Sequence, residues 1–126
     1  MFRLKRSKAD KLFSDYIRHR DHWECQRCGK KYEPPTSYLH AAHFYGRGGK
    51  STRFDPENVV ALCGTIGFPG GCHGYFGSHP QEFKEFMAKR LGSKKFDQLV
   101  IRAHTPQKID EKLIEIWLKE ELKKYQ

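Results

Sequence analysis

Hydrophobic residues repeat at helical spacing near both ends of the chain. At the N-terminal end, residues 7–20 are predicted to form a helix, with Ser7 as its N-cap and Asp10 as the acidic partner of a capping box. At the C-terminal end, the pattern predicts a last helix that starts at Thr105 and Pro106. The first apolar stripe comprises Leu12, Phe13, Tyr16 and Ile17, and the second comprises Ile109, Leu113, Ile116, Trp117 and Leu118.

Between these helices, the pattern predicts two short strands and then further helices. Apolar residues favour extended segments at about residues 38–44 and 58–62, each followed by a glycine-rich loop. A helix with Pro80 at its first turn is expected to run to about Leu91. Another is expected over residues 94–103, where the periodicity is weaker. The elements together predict an α+β fold.

Length and composition favour a single globular domain over residues 1–126. We expect its core at about residues 22–91, with a helical extension over residues 92–126. Hydrophobic residues make up 37% of the chain and charged residues 31%, so neither disorder nor a membrane span is expected. A signal peptide has an apolar region directly after its basic residues, and the basic N-terminus of this chain is not followed by one. A cytoplasmic location is therefore expected.

The net charge of +9 is concentrated in the N-terminal part of the chain. Residues 1–50 contain 12 Lys and Arg against 5 Asp and Glu, whereas the remainder contains 12 against 10. Such a field favours a polyanionic partner, with nucleic acid ahead of an acidic membrane surface, although a solvated basic face would have the same composition. In the first helix the basic residues fall largely off the apolar stripe, where phosphate contact and plain solubility are both open: Lys8, Lys11, Arg18 and Arg20.

The four cysteines form two pairs, Cys25 with Cys28 and Cys63 with Cys72. In a cytosolic chain, this pattern favours a structural zinc with four thiolate ligands over two disulfides or free core thiols. A tetrahedral zinc would join both ends of a stretch that has little regular structure and would contribute directly to folding.

A zinc finger with two Cys and two His ligands is the competing interpretation of the first pair. Cys25 and Cys28 are followed by His40 and His43, but the two histidines are separated by two residues where a finger has three to five. That assignment would also leave Cys63 and its partner without a role.

Residues that bind metals or move protons are concentrated between Leu39 and His79. They are His40, His43, Asn58, His73 and His79. Histidine binds divalent cations and also accepts protons near neutral pH, which are the two tasks that phosphodiester hydrolysis requires. A packed core would not need such a density of these side chains.

In the segments LHAAHFYGRG, RFDPENVVALC and CHGYF, the order of His43, Asn58 and His73 is that of the HNH motif. The region over about residues 13–91 resembles the HNH endonuclease family, and most of all its phage- and prophage-type branch with cysteine pairs flanking the site. The resemblance implies a ββα-metal (His-Me finger) fold, in which two strands and a helix hold one catalytic Mg²⁺ or Mn²⁺. It implies that His43 is the general base, that Asn58 holds the loop, and that His73 binds the catalytic metal.

One position departs from the commonest family pattern. Many members have an Asp or His ligand directly before the general base, where this chain has Ala42. Because strand side chains alternate, His40 is expected on the same side as Ala42, and we expect either His40 or His79 to supply the missing ligand. Arg47 and Arg53 flank the site and are candidates for phosphate binding, or for pairing with Asp55 or Glu57.

The resemblance thus implies a metal-dependent endonuclease that nicks double-stranded DNA with weak sequence preference. The alternative is a zinc-dependent nucleic-acid-binding module without catalysis. RNA as the substrate stays open, and phage packaging or recombination proteins are possible partners.

Overall fold

The computed structural model describes residues 6–46, 48–65 and 70–126, and within them it has five helices and a two-stranded antiparallel sheet. The expected α+β class is confirmed at this level. The elements, in chain order, are α1 (Lys8–Arg20), β1 (Leu39–His43), 3₁₀ turns at Lys50–Thr52 and Pro56–Asn58, β2 (Val59–Cys63), α2 (Gly71–Ser78), α3 (Pro80–Leu91), α4 (Ser93–Ala103) and α5 (Glu111–Lys123).

Local hydrogen bonds determine both ends of α1. Ser7 and Asp10 form the expected capping box, in which each side chain accepts from the other residue's backbone N–H. At the C-terminal end, the backbone N–H groups of His22 and Trp23 donate to carbonyls of the last turn in the Schellman pattern. His22 and Trp23 both adopt positive φ, and this reversal leads the chain directly into the loop of the first cysteine pair.

The sheet pairs β1 with β2 from Leu39 opposite Cys63 to His43 opposite Val59. The first four residues of β2 are apolar and buried, so β2 forms the centre of the structure. Helix α1 packs against both strands, and α2 packs against β2. As a result of this packing, the histidines of β1 lie next to α1, and the end of β2 lies next to α2.

One cluster of buried side chains draws on α1, both strands, and helices α2 to α5. Helix α5 packs along α1, while α3 packs against α2 and α4. The large, fully buried members of the core include Phe13, Ile17, Leu39, Leu62, Met87, Leu99 and Leu118.

The last helix begins later than the sequence pattern predicts. It starts at Glu111, because Asp110 caps it by accepting from two backbone N–H groups of the first turn, whereas the Thr105 hydroxyl donates back to the end of α4. The predicted apolar stripe is also wrong in part, since Leu113 and Ile116 are 64% and 60% exposed.

Arg20, the last residue of α1, faces inward rather than outward. Arg20 donates to the carbonyls of Pro56 and Val59, both at 2.7 Å, and pairs with the buried Asp21. Asp21 also accepts from Arg90 and from the backbone N–H of Ala61. The expectation of a surface position is therefore wrong for Arg20, which ties α1 to β2.

In the part of the chain that the structure describes, no helix combines the length and apolar character needed to cross a bilayer.

Candidate functional site

The four cysteines converge on one point. Their sulfur atoms all lie within 4.8 Å of one another, and Cys28 Sγ is 3.8 Å from Cys63 Sγ. That distance is far beyond the roughly 2.05 Å of a disulfide. Sulfurs bound to one tetrahedral zinc at about 2.3 Å would stand about 3.8 Å apart. The cluster can therefore hold a zinc ion.

Each half of the cluster is held by backbone geometry. Gly29, with φ of 79°, donates to the carbonyl of Cys25 and closes the first tight turn. Cys63 ends β2, and the backbone N–H of Cys72 in the first turn of α2 donates to its sulfur at 3.3 Å. At Gly71, a side chain would meet the Cys63 carbonyl, so this close approach of α2 to β2 requires glycine.

The thiols of the cluster have unequal acidities. Burial tends to raise the pKa of Cys25, but backbone N–H groups and neighbouring thiols outweigh burial and lower it to about 7. Burial raises the pKa of Cys72 to about 12, although Arg27 donates to its sulfur at 3.3 Å and acts in the opposite direction. Four thiolates this close repel one another, so full ionisation requires a cation among them.

A separate, open cleft of about 350 Å³ lies between α1 and the histidines. It is lined by Arg6, Asp10, Ser14, Arg18, His40, Ala41, His43 and His73. Three of the five polar residues that the sequence singles out thus meet in one cleft. Its volume is within the range of ligand sites.

His40 and His73 are in direct contact inside this cleft. Their Nδ1 atoms are 2.8 Å apart, and their rings meet edge to face. The carbonyl of Ser37 accepts from His40 Nε2 at 3.1 Å, which leaves the Nδ1 lone pair directed at His73. Two nitrogens that bind one ion at about 2.1 Å and at right angles would be about 3 Å apart. The two rings are hydrogen-bonded to each other at this separation, which is also close to the spacing of two nitrogen ligands of one ion.

The surroundings of both histidines favour the neutral form. Burial lowers the pKa of His40, and the charge of Arg18 lowers it further, against the opposing effect of the Ser37 carbonyl. Burial also lowers the pKa of His73, with His40 and His43 adding to the effect. Neutral imidazole is the form that binds metals.

The ring of His43 is oriented by the loop that precedes β2. The carbonyl of Arg53 lies 2.9 Å from His43 Nε2 and can only accept, so Nε2 carries the proton and Nδ1 carries the lone pair. The guanidinium of Arg53 forms two hydrogen bonds to Asp10. Arg53 therefore forms an ion pair with Asp10. Asp55 and Glu57, the partners considered for Arg53 from the sequence, form ion pairs with Arg102 instead.

Asn58 holds this same loop closed. Its side chain is fully buried, accepts from the backbone N–H of Tyr45 at 2.8 Å, and donates to the carbonyls of Tyr45 and Thr52. Arg53 directly follows Thr52, so the amide of Asn58 holds the residue next to the one whose carbonyl contacts His43.

The remaining candidates lie elsewhere. His79 is exposed, stacks on Tyr75 with 4.0 Å between ring centroids, and is hydrogen-bonded to the Tyr75 carbonyl. It does not line the cleft. Ala42 is buried in the core, although strand alternation would place it with His40. Arg47 falls outside the described residues.

The geometry excludes the zinc-finger interpretation. Cys25 and Cys28 converge with the second cysteine pair, whereas His40 and His43 face the cleft. Sequence reasoning named Arg18 as open to phosphate contact, but it did not predict that α1 forms a wall of this cleft. Its signal was the four-residue spacing of Asp10, Ser14 and Arg18, which places polar residues on one face of a helix.

No protein-family model, curated protein or solved structure matches this chain.

Proposed function

We propose that this protein is a divalent-metal-dependent DNA endonuclease of the HNH type, with β1, β2 and α2 as a ββα-metal core. The observation that carries the proposal is the single cleft in which His43 lies beside the paired His40 and His73. Asn58 supports it, because a buried amide with three hydrogen bonds holds the loop that orients His43.

In the proposed reaction, His43 is the general base. Its Nδ1 takes a proton from a water molecule, which attacks phosphorus in line with the departing 3′-oxygen. The departing 3′-oxygen takes up a proton from solvent water, so the products are a 5′-phosphate and a 3′-hydroxyl. The Arg53 carbonyl supports this role, since it keeps the proton on Nε2 and stabilises the imidazolium that forms.

His40 and His73 are the ligands of the catalytic ion in this proposal. When bound to them, a cation such as Mn²⁺ or Mg²⁺ supplies stabilisation of negative charge on the phosphate and the departing oxygen. The lowered pKa of each histidine keeps the two nitrogens available as ligands at neutral pH. His79 has no part in this site.

The zinc that we assign to the four cysteines is structural. The cluster joins the loop after α1, the end of β2 and the start of α2. Since His73 directly follows Cys72, the zinc would fix the position of the histidine on α2 that binds the catalytic ion.

A plasmid-nicking assay tests the proposal. Supercoiled plasmid is incubated with the protein and Mg²⁺, Mn²⁺ or Ni²⁺, in parallel with His43→Ala and with His104→Ala, an exposed histidine outside the cleft. We expect conversion to open circles by the wild type and by His104→Ala, and a loss of about 100-fold or more in His43→Ala.

Two results would contradict the proposal. Binding of plasmid without cleavage under every metal tested would favour a zinc-dependent nucleic-acid-binding module instead. Equal cleavage by wild type and His43→Ala would point to a contaminating nuclease. Structured and single-stranded RNA substrates, run in the same assay, decide whether DNA is preferred.

A further inference from the structure

Helix α1 forms one wall of the histidine cleft with a polar stripe. Asp10, Ser14 and Arg18 follow one another at intervals of four residues along α1, and Arg6 lies just before the N-cap of the helix. All four line the cleft together with His40. Residues at this spacing lie on one face of a helix. The stripe extends the site away from the histidines and along the helix.

The acidic member of the stripe is neutralised within the protein. Asp10 accepts two hydrogen bonds from the guanidinium of Arg53 and belongs to the capping box of α1. In the described part of the chain, neither Arg6 nor Arg18 forms an ion pair. The cleft wall is therefore cationic, with a serine hydroxyl between its two arginines.

Arg18 is held at a position that suits an anion. It is partly buried, and its Nε donates to the Leu39 carbonyl at 2.8 Å, which fixes the base of the guanidinium. Burial lowers the pKa of Arg18, and the charge of Arg6 lowers it further, while Asp15 acts in the opposite sense. A desolvated cation beside another cation is stabilised by any anion that enters the cleft.

We propose that Arg6, Ser14 and Arg18 form a subsite for a backbone phosphate that neighbours the phosphodiester being cleaved. The inference rests on the proposed nuclease function and specifies its substrate class: a polynucleotide that continues past the cleaved bond, rather than an isolated phosphodiester. Guanidinium groups bind phosphate through paired hydrogen bonds, and these contacts position a backbone without reading its sequence.

The test compares two substrates of the same active site. Duplex DNA offers the neighbouring phosphate, whereas bis(4-nitrophenyl) phosphate offers a single diester. The variants are Arg6→Gln and Arg18→Gln, and the matched control is Lys11→Gln, which removes one positive charge from an exposed position of α1 outside the cleft. Arg6 makes no hydrogen bond in the described residues, so Arg6→Gln tests the subsite even where Arg18→Gln disturbs β1.

We expect Arg6→Gln and Arg18→Gln to lose about tenfold more kcat/KM on DNA than on the small diester. We expect Lys11→Gln to change both by less than about twofold. Equal losses on the two substrates, no loss on either, or a loss in Lys11→Gln as large as that in Arg6→Gln would overturn the inference.

A binding measurement separates this inference from the nuclease proposal. Without added divalent ions, the affinity for a short duplex is measured from 50 to 200 mM salt. Loss of one phosphate contact should reduce the slope of log K against log salt by about 1. If the wild type cleaves neither substrate but the slope falls in Arg6→Gln, the nuclease proposal fails, and Arg6 is a backbone-phosphate contact of a binding protein instead. An unchanged slope overturns the subsite.

Discussion

The Nδ1 atoms of His40 and His73 lie 2.8 Å apart, although the two residues are 33 positions apart in the sequence. The strand pair and α2 bring them together, because α2 packs against β2 and β2 pairs with β1. This contact places two imidazole nitrogens side by side in the cleft, and we propose them as the metal ligands in place of the position of Ala42. It is the basis of most of the tests below.

Replacing His40 should weaken Mn²⁺ binding, whereas replacing His79 should leave it unchanged. We expect His40→Ala to weaken Mn²⁺ binding at least about tenfold, because only one protein nitrogen of the pair remains. We expect His79→Ala to bind Mn²⁺ like the wild type, since His79 stacks on Tyr75 away from the cleft. Isothermal titration calorimetry on zinc-loaded protein provides the measurement. If His40→Ala binds Mn²⁺ as tightly as the wild type, His40 is not a ligand of the ion.

Gly64 should act as a positioning residue for His40. A Cβ atom at Gly64 would lie 2.3 Å from Cε1 of His40, so Gly64→Ala must displace the imidazole. We expect Mn²⁺ affinity to fall by about as much as in His40→Ala. In the double variant, Gly64→Ala should add little to the loss from His40→Ala, because the group that it displaces is already absent.

The zinc content of each protein, measured after thiol modification, is the control, since Gly64 directly follows Cys63. Additive losses in the double variant would show that Gly64 acts on something other than His40.

Asn58→Ala should destabilise the protein and also slow cleavage. The substitution leaves the N–H and C=O of Tyr45 and the C=O of Thr52 without their buried partner. At about 1 kcal/mol or more for each unsatisfied group, the free energy of unfolding should fall by about 3 kcal/mol. Thermal denaturation should show a decrease in Tm of about 10 °C. A stability close to the wild type would mean that the loop closes without this amide.

Cys28→Ser should abolish zinc binding without disturbing the packing directly. Cys28 is the exposed member of the four, so loss of its sulfur removes a ligand and little buried surface. We expect one zinc per chain in the wild type, much less in Cys28→Ser, and a lower Tm in the variant. A chelator should bring the wild type to the same Tm. Full zinc content in Cys28→Ser would contradict the four-thiolate assignment.

Stability without added divalent ions should fall as pH decreases from about 7.5 to 5.5. Burial lowers the pKa of His40 and His73 below the usual imidazole value of about 6.5, so the unfolded chain binds more protons in this range. The contribution is present above the unfolded pKa and is lost as pH falls towards the folded pKa. We expect the decrease to be smaller in His40→Gln, with urea denaturation as the measurement.

The zinc site contributes to the pH dependence of stability in both the wild type and His40→Gln. The difference between the two pH dependences therefore reports on the histidine pair alone. A decrease of the same size in wild type and His40→Gln would show that this pair does not couple to folding.

Residues close together in sequence were predicted well. The capping box of α1 follows from Ser7 and Asp10, and the start of α3 follows from Pro80, because each depends on groups within one helical turn. The start of α5 was mispredicted, since Asp110 competes as a cap with Thr105 and the pattern alone does not rank them.

The sequence by itself determined which residues we propose to carry the chemistry: two cysteine pairs, the histidines of β1 and α2, and Asn58. Residue type fixes ligand chemistry, and spacing fixes which residues share an element. Only the tertiary structure decided that His40, rather than His79, meets His73, that Arg53 pairs with Asp10, and that Arg18 lines the cleft. These relationships depend on how helices pack on the sheet, and side-chain contacts between distant segments leave no periodic signal in the chain.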